Sequence, residues 1–415
     1  MAVIRPFKAL RPTKEKSQLV ASVPYDVVNR EEAKHFAEGN PLSYLHITRS
    51  EIDLPEVKDV YSKEVYKKAS ENLNRIIKEA PLKIDGKPSF YLYRLIMDGR
   101  AQTGICATFS VDDYDNDVIK KHELTRPDKE EDRMNHIRVT GFNAEPVFFA
   151  YPDEPRLDAM VEQVVAKQAT YDFTTEDGVG HHFWIIPDRE MIARIVDIFN
   201  KDIPHTYVAD GHHRTAAAAR VGQERRNNNP VHRGDEEYNY FLAVHFPASQ
   251  LTIIDYNRVV KDLNGMTSSE FLDRLREGFL VERKGPEIYK PDKLHTFGMY
   301  LEGEWHALTA REGTYRDDDP IGCLDVTVLS EQVLGPLLNI TDLRKSNRID
   351  FVGGIRGLEA LSRRVDSGEM AAAFALYPVT MKQLMDIADN GMIMPPKTTW
   401  FEPKLRSGLV IHSLD

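Results

Sequence analysis

Apolar residues along the chain recur at two periods. Tyr61, Val65, Ala69, Leu73, Ile76 and Ile77 share one helical face, which predicts an amphipathic helix. Leu157, Met160, Val161, Val164 and Val165 repeat the i, i+3, i+4, i+7, i+8 spacing and predict a second. Other apolar runs are short and β-rich. "FYLYRLIM" (90–97) and "TGICATFSV" (103–111) flank Asp98-Gly99-Arg100; an Asp-Gly pair between two such runs predicts a β-hairpin.

The middle of the chain alternates. "DVIKKHELTRPDKEEDRMNHIRVTG" reads as a short strand, a polar loop, a charged helix and a glycine stop. "AEPVFFAY" (144–151), "HHFWIIP", "HTYVAD" and "YFLAVHF" (240–246) read as strands, with a helix from about Arg189 to Asn200. "SVPYDVVNREEAKHF" predicts a helix beginning after Asn29, and the polar stretch 224–239 reads as a loop.

The texture changes beyond Asp262. One helix carries Phe271, Leu272, Leu275 and Phe279; strands follow near "TFGMYLEG" and "EWHALTA". Helices are expected near 326–338, 355–365 and 380–390, with a strand at 371–379. The apolar stretch near 326–340 fits either a core or a homodimer surface. Helices and strands mixed with hairpins predict an α+β (mixed α/β) protein, not a pure parallel sheet.

Composition narrows the function classes. The chain has 415 residues, 54 Lys plus Arg against 65 Asp plus Glu, and a net charge of −11. That acidity argues against nonspecific binding to nucleic acid or to anionic membranes. With Cys106 and Cys323 as the two cysteines, no disulfide framework is implied and a reducing cytoplasm is expected. The first residues lack the apolar core of a signal peptide, and no run of about 18 apolar residues exists to span a membrane.

Candidate chemistry gathers in "YVADGHHRTAAAAR" (207–220). Gly211 permits positive φ or close approach of a ligand to bare backbone. The unpaired N–H groups of a first helical turn favour an anion. Arg214 offers a planar fork for phosphate, and His212 and His213 can donate to phosphate oxygens. Asp210 can hold Mg²⁺ or accept a proton. A purely structural turn would use Asp210 as a helix cap and leave the histidines half-exposed. Zinc is not predicted, because the two histidines are adjacent and no HExxH or CxxC motif accompanies them.

Two further stretches join the candidate pocket. "VPYDVV" sets Tyr25 and Asp26 after a proline. "MPPKTTWFEPKLRSGL" offers Lys397, Lys404 and Arg406 to a nucleotide and Trp400 to a base or lid, with two prolines stiffening the loop. No GxxxxGK[ST] loop or protein-kinase signature is present.

The 207–220 stretch resembles the strand–GxxR–helix box of the ParB/sulfiredoxin superfamily, and "GFNAEPVFFAY" is similar to the strand that precedes it there. "RPFKALRP", "PYDVV", "HELTRPDKEEDR", "DGHHR", "RIDFVGG" and "MPPKTTWFEPKLRSGL" together resemble the DUF1015 family across nearly the whole length. Free serine kinases are relatives of that family. The resemblance implies a ParB/sulfiredoxin-like nucleotide-binding core at 116–262, an N-terminal α/β region at 1–115 and a C-terminal α/β region at 263–415 closing the cleft. It further implies ATP or ADP as phosphate donor, Mg²⁺ as cofactor and the hydroxyl of free L-serine as acceptor. Glu123, at the end of the first core strand, is the implied base, and Asp210 the essential acid. His122 and Thr125 would line the cleft on the serine side; Lys129 and Arg133 are equally open to structural salt bridges. Two other readings compete: a nucleotide-binding regulator without turnover, and a DNA-binding protein. The net charge and the absence of a basic recognition helix count against the second.

Overall fold

Asp98 (φ 51°) and Gly99 (φ 75°) both take the left-handed conformation, as a two-residue hairpin turn of the favoured twist requires. Phe90–Met97 therefore folds back antiparallel on Arg100–Ser110. This hairpin sits inside a nine-stranded sheet. The order across it is Ile119–Lys120, Thr206–Asp210, Val147–Tyr151, Tyr240–Pro247, Arg100–Ser110, Phe90–Met97, Gly180–Ile186 and Tyr171–Thr174, with Ile4–Arg5 also pairing Arg100–Ser110. Two pairings are parallel, Thr206–Asp210 with Ile119–Lys120 and Tyr240–Pro247 with Val147–Tyr151; the others are antiparallel.

The computed structural model describes residues 1–415, and the fold is α+β. Its contacts group the chain into two compact units, Met1–Leu251 with Pro403–Asp415, and Thr252–Glu402. The boundaries expected at 115 and 262 are thus drawn differently. Residues on both sides of 115 share the nine-stranded sheet, the second unit starts at Thr252, and the chain end returns to the first unit. The return is pinned by backbone pairing of Leu10 with Ile411, Ser22 with Ser407 and Asn143 with His412.

In the first unit, helices Pro127–Thr140, Pro155–Val165, Arg189–Asp202 and His212–Asn228 share a core with the sheet. Alanines 217–219 let the last of these approach closely; Ala217 is fully buried. Gly141 (φ 76°) ends Pro127–Thr140 as predicted. The 61–77 pattern forms Lys63–Glu79, which buries Val65, Ala69, Leu73 and Ile76; Tyr61 lies ahead of the helix and is exposed. The expected loop at 224–239 is helical through Asn228. There Arg225 binds Asp415, while Arg226 binds Asp112 and Asn239.

The second unit is built on an antiparallel six-stranded sheet of Phe279–Gly285, Glu304–Ala310, Thr296–Leu301, Ala372–Leu376, Tyr256–Val260 and Ile349–Gly353. The long helix expected at 326–338 is a short helix, Asp325–Leu329, followed by a wide turn, Ser330–Leu334. Val326, Val328, Leu329, Val333, Leu334 and Leu338 are buried there, so that apolar stretch is core. No helix of the chain is long and apolar enough to cross a membrane.

Candidate active site

Strand Thr206–Asp210 runs into helix His212–Asn228 through Gly211, which has φ 97°. A Cβ at Gly211 would stand 2.8 Å from Val147 Cγ1 and 3.0 Å from Arg214 Nε. Backbone conformation and space both demand glycine here. Asp210 is not the N-cap of the helix; Gly211 is, and it has no side chain to cap with. Instead, Lys404 Nζ donates to Asp210 Oδ2 at 3.0 Å.

Arg214 is buried behind this turn. Its NH1 donates to the Pro146 carbonyl at 2.8 Å. Its NH2 lies 3.7 Å from Asp210 Oδ2 and 3.8 Å from Asp26 Oδ2. These are charge contacts too long to be hydrogen bonds, and Nε has no hydrogen-bond partner. The guanidinium is thus charge-balanced by two carboxylates that do not saturate its donors. Burial alone would raise the Asp210 pKa, but Lys404 and Arg214 outweigh it and hold the carboxyl well below its ordinary range.

The imidazoles divide their roles. His212 is buried edge-on to His122, ring centres 4.5 Å apart. Burial pushes both down, His122 to about 4, so both are neutral near pH 7. His212 Nδ1 lies 3.8 Å from Glu123 Oε2. His213 Nε2 accepts the Arg126 N–H at 3.0 Å and so tethers the loop that carries Glu123. Glu123 itself sits three residues past Ile119–Lys120, in that loop and not at the strand end as expected.

Other expected residues fall as follows. Asp26 joins the cluster through Arg214. Its neighbour Tyr25 is buried, with the Arg133 guanidinium 3.8 Å over its ring, and its backbone N–H donates to Glu145. Thr125 donates to Glu130 Oε2 at 2.8 Å, at the start of helix Pro127–Thr140. Arg406 is turned elsewhere: it pairs with Asp177 and contacts Thr175 Oγ1 and His181 Nε2, so its charge is already spent on a structural network. Lys397 and Trp400 belong to the second unit. There Lys397 Nζ lies 5.7 Å over the Tyr256 ring, Trp400 meets that ring edge-on, and the indole N–H donates to Glu402.

One buried acid was passed over by the sequence reading. Glu145 lies in "AEPVFFAY", expected as strand from 144, but the strand starts at Val147 and Glu145 precedes it; nothing in the local pattern marks this acid. No group of three or more His, Cys, Asp or Glu side chains is arranged to hold a metal ion. Asp26, Glu123, Asp210, Arg214 and Lys404, with the His122–His212 pair, thus form one charged corner in which carboxylates and cationic donors meet.

Fold and site together define an α+β protein with a charged strand–turn–helix corner. Residues 4–327 match the profile of the family described as "Protein of unknown function (DUF1015)", and the chain belongs to that family. No curated protein sequence matches the chain. A conserved hypothetical protein from Pyrococcus furiosus superposes with a TM-score of 0.36 at 15% identity, over 74% of this chain and 95% of its own. A free serine kinase mutant in complex with AMP does so at 0.35 and 13%, over 74% and 92%. A mutant of the kinase in complex with ADP gives 0.34 and 13%, over 74% and 92%.

Proposed function

We propose that this protein is a small-molecule kinase that moves a phosphoryl group from ATP or ADP to the hydroxyl of free L-serine. The observation that carries the reading is Arg214: a buried guanidinium at a glycine turn before a helix, flanked by Asp26 and Asp210 and backed by Lys404, with donors left unsaturated. Arg214, Lys404 and the first-turn N–H groups would bind the terminal phosphates. Glu123 would accept the serine hydroxyl proton while the new O–P bond forms and the bond to the leaving nucleotide breaks; neutral His212 beside it would orient the carboxylate. The protein offers no closed set of metal ligands, so Mg²⁺ would be held by Asp210 together with phosphate oxygens and water, and would neutralise phosphate charge when bound. The strand–turn–helix corner supports the superfamily reading in the same way, through the phosphate-binding turn.

The second reading, a nucleotide-binding regulator without turnover, uses the same Arg214 and Lys404 but gives Glu123 no task. Incubating the protein with ATP or ADP, Mg²⁺ and L-serine among other hydroxylated metabolites, followed by mass spectrometry, separates the two. O-phosphoserine is expected. Nucleotide binding without any phosphorylated product would establish the regulator, and neither binding nor product would end both readings.

A further inference from the structure

Three elements of the charged corner come from distant parts of the chain: Asp26 near the start, Arg214 in the middle, Lys404 near the end. All three are anchored at one dipeptide, Glu145-Pro146. Glu145 Oε1 accepts the backbone N–H of Tyr25, next to Asp26, at 3.1 Å. The same oxygen accepts the Ser407 hydroxyl, three residues after Lys404, at 3.1 Å. Its Oε2 faces Arg133 NH1 at 3.4 Å. The adjoining Pro146 carbonyl accepts Arg214 NH1 at 2.8 Å.

Burial gives this junction its weight. Glu145 is only 8% exposed, and the adjoining cavity, lined by Arg133, Glu145 and Arg214 among others, has a volume of about 30 Å³, room for about one water. A buried carboxylate must find its hydrogen bonds in protein groups or in the one water this cavity can hold. The groups that reach it belong to the segments carrying Asp26 and Lys404, and to the arginine beneath Tyr25. Satisfying Glu145 therefore sets those segments against the one that holds Arg214.

We infer that Glu145 is the positioning residue of this site: it touches no reacting atom but holds Asp26, Arg214 and Lys404 in one constellation. The inference rests on reading that constellation as the nucleotide site. It predicts that loosening Glu145 loosens both distant segments together and that function falls with them.

The test compares Glu145→Ala with Glu145→Gln. The glutamine keeps an acceptor oxygen for Tyr25 N–H and the Ser407 hydroxyl; the alanine keeps none. Amide hydrogen exchange by mass spectrometry reads peptides covering 22–28 and 404–409, calorimetry reads ADP affinity, and serine phosphorylation is split into kcat and KM. In Glu145→Ala, exchange should rise in both peptides together, ADP affinity should drop, and kcat should fall by about 100-fold, the scale of an ångström-level misplacement. KM for serine should move much less. Glu145→Gln should recover most of the protection and affinity. Unchanged exchange in both peptides, or a glutamine variant no better than alanine, would overturn the inference. If wild-type protein neither binds ADP nor phosphorylates serine, the proposed function fails by itself, and the exchange result alone decides whether Glu145 couples the segments. If Glu145→Ala does not fold, Ser407→Ala replaces it: exchange should rise at 404–409 but not at 22–28, and no rise would refute the junction.

Discussion

Replacing Gly211 by alanine perturbs the corner at its narrowest point. A side chain at φ 97° pays the strain of a sparsely populated backbone region, about 1–3 kcal/mol. The new methyl would also lie 2.8 Å from Val147 Cγ1, closer than carbon atoms pack. Val147 is a strand residue only 2% exposed, so relief requires a packed side chain or the strand to shift, for about 1–3 kcal/mol more. The sum is roughly 2–6 kcal/mol, which at about 2 °C per kcal/mol for a unit of this size lowers Tm by roughly 4–12 °C. Gly99→Ala is the control. Gly99 also has positive φ, 75°, but a Cβ there meets nothing within 4 Å, so only the backbone cost of about 1–3 kcal/mol applies. Scanning calorimetry of wild type and both variants isolates the difference. If Gly211→Ala melts no lower than Gly99→Ala, the close approach of Gly211 to Val147 and Arg214 is not a feature of the folded protein.

Other consequences follow from the same geometry. Arg214→Lys keeps the charge but loses the fork, and should weaken ADP or ATP binding by roughly 10–100-fold, the worth of a charged hydrogen bond; unchanged affinity in a calorimetric titration would remove Arg214 from the phosphate site. Burial holds His122 and His136 at about 4 and His181 at about 3. Each therefore binds a proton near pH 6.5 only when unfolded, so lowering the pH from 7 to 5 favours the unfolded chain, by at most about 2 kcal/mol per histidine. Thermal melts should show the first unit losing stability over that window, and a Tm independent of pH there would contradict the buried, neutral state of these rings.

Local signals in the chain were reliable where a single residue's geometry decides the outcome. The Asp98-Gly99 turn, the Gly141 stop and the Asn29 helix start, which closes as a reciprocal cap with Glu32, need no distant partner. Phe279 shows the limit. Its spacing from Leu275 suits a helix, yet it opens the strand Phe279–Gly285, and both positions are buried; burial alone does not separate the two periods. The helix through Asn228 is held by Asp112, Asn239 and Asp415, contacts remote in sequence. The site divides along the same line. Asp210, Gly211, His212 and Arg214 share one turn and stand out as a cluster of residue types. Glu145 does not, because it is a lone acid ahead of strand Val147–Tyr151; the burial of Arg133 was equally hidden, because Pro127–Thr140 buries Glu130, Asp132 and Arg133 along with Met134 and Ile137 and no apolar stripe marks an inner face. Arg406 carried the right charge for a phosphate, but Asp177, far away in the chain, claims it.

The central claim, that this corner performs phosphoryl transfer and does more than bind, is tested most directly by Glu123→Gln. The glutamine keeps the shape beside His212 but takes no proton, and a positioned base contributes about 10²–10⁴-fold in rate. Asp210, Arg214 and Lys404 are untouched, so ADP or ATP should still bind with wild-type affinity in a calorimetric titration. The account predicts a split result, in which formation of O-phosphoserine collapses by at least about 100-fold while nucleotide affinity stays. Equal phosphorylation rates in Glu123→Gln and wild type would contradict it.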